Sequence, residues 1–331
     1  MRRRSRSRYA ALMAEVAERD LERWPRGRPF ALHPRVQAIT LEVVLRAVFG
    51  VREEERLGEL REAIHRFART SNAVVWLPPL RRDLGPLTPL APLRRRPEAG
   101  GRAGHDQIAD RRAEPEPSHR ADVLSLLLRA RHQDGSPMSD RELRDELMTL
   151  LTAGHETTAT ALAWAFERLM RNGAGHERLE GDAEVDAVVK ETLRVRGVAR
   201  KVTRDVELAG YRIPAGTLVL AAIAVQHHRP DAYPEPYAFR PERFLEGQPE
   251  PYTWLPFGGG VRRCLGAAFA QLEMRVILRT ILRRVDLRAA DPRPERARVR
   301  YVTAVPGQGA RAVLQERLAS GAPRAPLGAA A

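Results

Sequence analysis

The 331-residue chain predicts a mainly α fold with a small β-rich region, and three observations carry that expectation. A capping box, Ser139-Asp140-Arg141-Glu142, opens a helical pattern that runs on to Arg171. After Arg194 the apolar period changes to two, as short strands require. A glycine-rich loop then delivers the single cysteine, Cys264, to the start of another helical stretch.

Taken in order, Tyr9 to Trp24 sets Leu12, Val16 and Leu21 between charges, the pattern of an amphipathic helix. Val36 to Phe49 is more apolar and stops at Gly50. Leu77 to Pro97, rich in Pro and Arg, reads as loop, and Glu98 to His119 as a polar, weakly periodic helix. Asp122 to Arg131 is a short amphipathic helix closed by Asp134-Gly135. The helix that follows stops at Asn172-Gly173. At 1.5 Å per residue it is about 48 Å long, enough to cross a domain. Its middle is apolar on most faces, which predicts burial on most sides. Glu184 to Arg194 is a further helix. Val202 to Leu208, Tyr211 to Ile213 and Thr217 to Val225 read as strands, with turns at Ala209-Gly210 and Pro214-Ala215-Gly216. Arg229 to Pro256 is Pro-rich coil, Leu265 to Val285 is helix, and Val299 to Leu314 is a hairpin turning at Pro306-Gly307. Residues 1–318 then form a single domain, and 319–331, mostly Ala, Gly and Pro, a disordered tail.

An apolar fraction of 43% fits an ordinary globular protein. One cysteine excludes an intrachain disulfide and points to no oxidising compartment. The longest apolar candidates, Val36 to Val51 and Leu255 to Val285, are broken by Arg and Glu. Met1-Arg2-Arg3-Arg4 is followed by no apolar signal core. A cytoplasmic protein without a membrane partner is expected. The net charge of +14 raises nucleic acid as a partner. Yet Lys190 and Lys201 are the only lysines among 56 basic residues, and the arginines are spread along the chain beside acids. No basic stripe interleaves with aromatics, so nucleic acid is not expected.

Phe257-Gly258-Gly259-Gly260-Val261-Arg262-Arg263-Cys264-Leu265-Gly266 carries the strongest chemical signal. Glycines let backbone approach a flat ligand. A helix N-terminus favours thiolate over thiol. A thiolate axial ligand pushes electron density onto haem iron. Arg262 can reach a haem propionate through a charge-assisted hydrogen bond. The plainer alternative is a glycine turn with a structural cysteine. A phosphate loop is unsupported, because no Lys-Ser/Thr follows the glycines.

The ten-residue loop resembles the haem-binding loop of the cytochrome P-450 superfamily, bacterial soluble type, and three further segments match that family in order. In Ala153-Gly154-His155-Glu156-Thr157-Thr158, an acid and a hydroxyl stand in an apolar helix, where burial demands partners. Threonine back-bonding to helix carbonyls bends helices, and a bend beside Gly154 opens room for a diatomic ligand. By resemblance, Thr157 holds dioxygen beside the iron and Glu156 feeds protons toward it, the alternative being a satisfied polar step in a long helix. Glu191-Thr192-Leu193-Arg194 places an acid and a base at i and i+3. The resemblance implies a buried structural triad of Glu191, Arg194 and Arg243, the alternative being a surface ion pair. In Ala199-Arg200-Lys201, Arg200 resembles a strand arginine that binds a propionate, the alternative being an exposed edge residue. Phe257, Gly258 and Gly266 complete the cofactor-binding set. His155, His227 and His228 have no ligand-spaced neighbours and read as solvated or satisfied.

The implied cofactor is haem b, iron protoporphyrin IX with Cys264 as metal ligand. The implied partners are dioxygen, a small apolar organic substrate and a ferredoxin/ferredoxin reductase-type electron donor. The implied activity is an oxidoreductase inserting one oxygen atom into substrate. The match begins near Tyr9, later than the family's N-terminal portion, and is short after Arg194 and across Asn172 to Asp182. A truncated or degenerate haem-binding protein without turnover, and a basic helical module that has lost haem, therefore stand as alternatives. Substrate contacts are expected around Phe67 to Leu90 and Tyr301 to Gly307.

Overall fold

The computed structural model describes residues 3–50, 57–58, 107–113, 122–172, 181–194, 198–201, 205–300 and 303–318. The expected loop at 77–97, the substrate contacts at 67–90, the shortened stretch after Arg194 and the tail 319–331 lie outside the described residues. Within the expected helix from Glu98 to His119, residues 107–113 are described, and they are helical.

Two long helices build the N-terminal part, α1 (Arg3–Leu21) and α2 (His33–Phe49). Gly50 ends α2 in the left-handed region at φ 66°, where its N–H bonds Arg46 O. A Cβ at Gly50 would stand 2.7 Å from Asp122 Oδ2, so a side chain is barred by contact as well as by φ. Asp122 caps α3 (Val123–Arg129) by accepting the Ser125 N–H and pairs with the buried Arg111 at 2.8 Å. The domain-crossing helix is α4 (Asp140–Arg171), opened by the complete Ser139–Glu142 capping box. α5 (Asp182–Leu193), the short α6 (Ile223–His227) and α7 (Arg243–Glu246), and α8 (Ala267–Arg284) follow.

The strands are short and their pairings distant. β1 (Pro29–Ala31) and β6 (Val285–Ala289) flank β9 (Arg311–Arg317) in an antiparallel sheet. Three two-stranded pairs complete the set. They are β2 (Val198–Lys201) with β5 (Leu218–Ala221), β3 (Val206–Leu208) with β4 (Tyr211–Ile213), and β7 (Ala297–Arg300) with β8 (Thr303–Pro306).

Three expectations are corrected. Of the strand expected over Val202 to Leu208, the described part is strand only at the three-residue β3, and β2 ends at Lys201, before that stretch. Thr217 to Val225 is a strand only to Ala221, because Ile223 and His227 are buried one helical turn apart and close α6. The hairpin turn is not at Pro306-Gly307. β8 pairs with β7 before it, while β9 leaves to join β1 and β6.

Two apolar clusters hold the helices. One joins α1, the C-terminal half of α4, α5, α8 and β9 through residues such as Met13, Phe166, Val188, Ile277 and Leu314. The other joins α2 to the N-terminal half of α4 and to α3 through Leu45, Phe49, Leu124, Leu143 and Leu147. On α4 the second cluster ends at Leu151 and the first begins at Ala159. The polar segment 152–158 lies on the seam between them.

Candidate active site

The cysteine loop is tied from behind and bare in front. The Cys264 N–H donates to Phe257 O at 3.0 Å and the Gly258 N–H to Leu255 O at 3.0 Å. Gly258 and Gly260 take φ of 69° and 64°, and a Cβ at either would meet nothing within 4 Å. Cys264 is exposed just before α8. Val261 and Leu265 beside it are 103% and 96% exposed. A thiol flanked by bare aliphatic side chains and open glycine backbone suits a flat, largely apolar group ligated through sulfur, so the residues present fit a haem.

Behind the loop an acid is buried and paired with two arginines. Glu191, 2% exposed, accepts from Arg194 Nε at 3.1 Å and faces Arg243 Nε at 3.3 Å. Its other oxygen accepts from Arg194 Nη2 and from the Arg240 N–H. The geometry is thus the buried three-residue cluster, not a surface pair. Both guanidinium groups also lie over the Tyr233 ring, at 5.1 and 5.9 Å from its centroid. Arg194 carries the connection forward by donating to His227 O. The Leu255 N–H donates to His227 Nε2 at 2.8 Å, two residues before Phe257. Burial first, and Arg194 second, hold the His227 imidazole down at about 4, so it is neutral and free to accept this bond. Sequence reasoning missed this support for the loop. Its one sequence signal is the helical spacing to Ile223.

On α4, Thr157 is exposed while Glu156 is 7% exposed. Thr157 Oγ1 donates back to Ala153 O at 2.7 Å, and Thr158 and Thr160 do the same to Gly154 and Glu156. Gly154 serves packing: a Cβ there would stand 3.4 Å from Val44 Cγ2 on α2. The Glu156 carboxylate accepts from Gln37 Nε2 of α2 at 2.5 Å and lies 3.7 Å from Arg300 Nε of β7. His155 is buried with Nδ1 2.8 Å from Leu151 O, a satisfied histidine. α4 packs against α8, and there Glu273 of α8 is fully buried beside the Thr158 hydroxyl. Burial pushes its carboxyl well above the usual range, and Thr158 opposes that only in part. Sequence reasoning missed Glu273, Gln37 and Arg300, because their roles depend on which helices meet.

Arg262 is exposed in the loop turn. Arg200 lies in β2 opposite Val219, and its side chain is outside the described residues. Among the described residues no helix is long and apolar enough to cross a membrane.

The family model "Cytochrome P450" matches residues 1–182 and 184–303. The chain is 44% identical over 336 residues to "Putative cytochrome P450 135B1" of Mycobacterium tuberculosis, covering 92% of this chain and 68% of that one. It is 40% identical to "Putative cytochrome P450 138" of the same organism, covering 93% of this chain and 72% of that one. Among solved structures, retinoic acid-bound cyanobacterial CYP120A1 superposes with a TM-score of 0.80 at 27% identity, over 96% of this chain and 76% of that one. The cytochrome P450DA heme domain shares the fold, with a TM-score of 0.73 at 24% identity over 94% and 73% of the two chains. Cysteine loop, buried acid–arginine cluster, polar seam and relatives agree: the chain belongs to the cytochrome P450 family of haem-thiolate monooxygenases.

Proposed function

We propose that this chain binds haem b through Cys264 and oxidises a small apolar organic substrate with electrons from a ferredoxin/ferredoxin reductase-type donor. The observation that carries the reading is the presentation of Cys264, exposed, with its N–H tied to Phe257 O and two bare aliphatic neighbours. When bound, the haem supplies reductive activation of dioxygen, one atom entering the substrate and the other leaving as water. Cys264 donates electron density from its sulfur. The loop glycines Gly258 and Gly266 and the Phe257 ring would seat the macrocycle, and Arg262 and Arg200 would hold its propionates. Thr157, whose hydroxyl proton is committed to Ala153 O, offers its oxygen lone pairs to an incoming water. Glu156 relays the exchangeable proton one residue away. Glu191, Arg194 and Arg243 have no part in the chemistry and fix the coil that carries the loop. Residues 1–318 act as one domain, with 319–331 outside it.

The test is the carbonyl difference spectrum of the reduced, haem-loaded protein. A red-shifted Soret band of thiolate-ligated haem is expected, followed by substrate-dependent NAD(P)H consumption with ferredoxin and its reductase. A spectrum lacking that band overturns the assignment of Cys264. The band without substrate-dependent turnover identifies a haem-holding protein that is not a working monooxygenase.

A further inference from the structure

The polar seam on α4 has a second side, facing α2 and β7. On α2, His33, Gln37 and Thr40 fall at i, i+4 and i+7 and so share one face. That face meets α4 where the two apolar clusters part. Thr40 Oγ1 donates to His155 O at 3.1 Å and Gln37 Nε2 to Glu156 Oε2 at 2.5 Å. From the other direction comes Arg300, the last residue of β7, with Nε 3.7 Å from Glu156 Oε1. That separation is too long for a direct hydrogen bond and within the range of an ion pair.

Arg300 is not a loose surface charge. The segment that carries it is fastened along α4 at three further points. Trp164 Nε1 donates to Ala304 O at 2.7 Å, the Glu295 N–H donates to Glu167 at 3.2 Å, and Arg171 Nη1 donates to Asp291 O at 3.0 Å. The Arg300 side chain is nevertheless 40% exposed, while the Glu156 side chain alone is 10% exposed, so the pair runs from solvent to the buried seam. His33 lies within range of the Arg300 charge and is 3% exposed, and its Nε2 has no hydrogen-bond partner among the described residues. A buried ring nitrogen of this kind marks a place for water.

We propose that Gln37 and Arg300 are positioning residues for Glu156, holding its carboxylate toward α2 and β7, where it collects protons from solvent along the Arg300 edge. The inference rests on the reading of Glu156 as the proton-feeding acid. The proton arrives from water at Glu156 Oε1 and leaves toward the Thr157 hydroxyl on the adjacent face of α4. Arg300 keeps its own protons throughout. Gln37, with a neutral amide, fixes the second oxygen and stops the carboxylate from rotating away.

The test uses the haem-loaded full chain with Gln37→Leu, Arg300→Leu, Arg300→Lys and Glu156→Gln. Two quantities are read. One is the share of NAD(P)H electrons lost as peroxide. The other is the Glu156 carboxylate stretch of the ferric protein, isolated by infrared subtraction of the Glu156→Gln spectrum. Gln37→Leu and Arg300→Leu are each expected to shift the band and to raise the peroxide share about threefold or more. Arg300→Lys should restore part of both. Combined with Glu156→Gln, neither variant should add anything, because they act through that residue. If Glu156→Gln raises the peroxide share while Gln37→Leu and Arg300→Leu leave band and share as in the parent, the positioning role is overturned and the reading of Glu156 stands. If Glu156→Gln changes nothing, that reading falls and this proposal with it.

Discussion

The front and the back of the cysteine loop are built on opposite principles. In front, Cys264, Val261 and Leu265 are exposed and the glycines leave open space beside the backbone. Behind, Glu191 and Arg194 are buried, their charges matched and their hydrogen bonds relayed through His227 to Leu255. The difference teaches where positional accuracy comes from. A ligand-binding surface cannot fill itself with its own side chains, so the rigidity that aims the sulfur is supplied from the far side. Paired buried charges suit that task, because their directional bonds specify geometry even when their net stabilisation is small.

That contrast can be broken most severely at Cys264. Cys264→Ser is expected to abolish the thiolate Soret signature completely while leaving the thermal unfolding of the haem-free protein unchanged. Glu191→Gln attacks the other side and should act on stability. It leaves the buried Arg194 and the partly buried Arg243 short of a counter-charge, and a loss of about 3–5 kcal/mol is expected in denaturant titration. The same loss after Cys264→Ser would erase the division between front and back.

A smaller effect is expected from pH. His227 and His33 are each held down at about 4, chiefly by burial and secondarily by Arg194 and Arg300 respectively. In the unfolded chain both return to the ordinary value of 6.5. Between these two values the unfolded state binds more protons, so stability is full above about 6.5 and falls as pH drops toward 4. Denaturation midpoints across this range should show the slope, and His227→Gln, which keeps an acceptor for the Leu255 N–H, should flatten part of it. The smallest effect belongs to the front again. Val261→Ser should change unfolding free energy by less than about 0.5 kcal/mol, yet speed haem transfer to apomyoglobin.

What could be read beforehand divides along similar lines. The Ser139–Glu142 cap, the Gly50 stop and the span of α4 follow from neighbours within four residues, and local chemistry decides them. The Glu191–Arg194 spacing was legible, but its burial and the Tyr233 ring against the two arginines needed the coil at 229–256 to fold over α5. β1 has three residues and its partner β9 lies at the other end of the chain, so no period could announce it. Val225 continued an alternating pattern that tertiary burial of Ile223 and His227 overrode. Gln37, Arg300 and Glu273 are ordinary polar residues in sequence. They became interesting only once α2, β7 and α8 were placed against the seam of α4.

The central position of β9 also bears on how the molecule is made. Arg26 and Gln315, 289 positions apart, are joined by a hydrogen bond, and Arg317 donates to the carbonyls of Leu21, Glu22 and Trp24. During synthesis α1 and β1 leave the ribosome long before the strand that fastens them exists. Closing so long a loop is slow, and the apolar face of α1 waits exposed meanwhile. Production of this chain should therefore depend on translation speed and chaperone supply more than its helical content suggests.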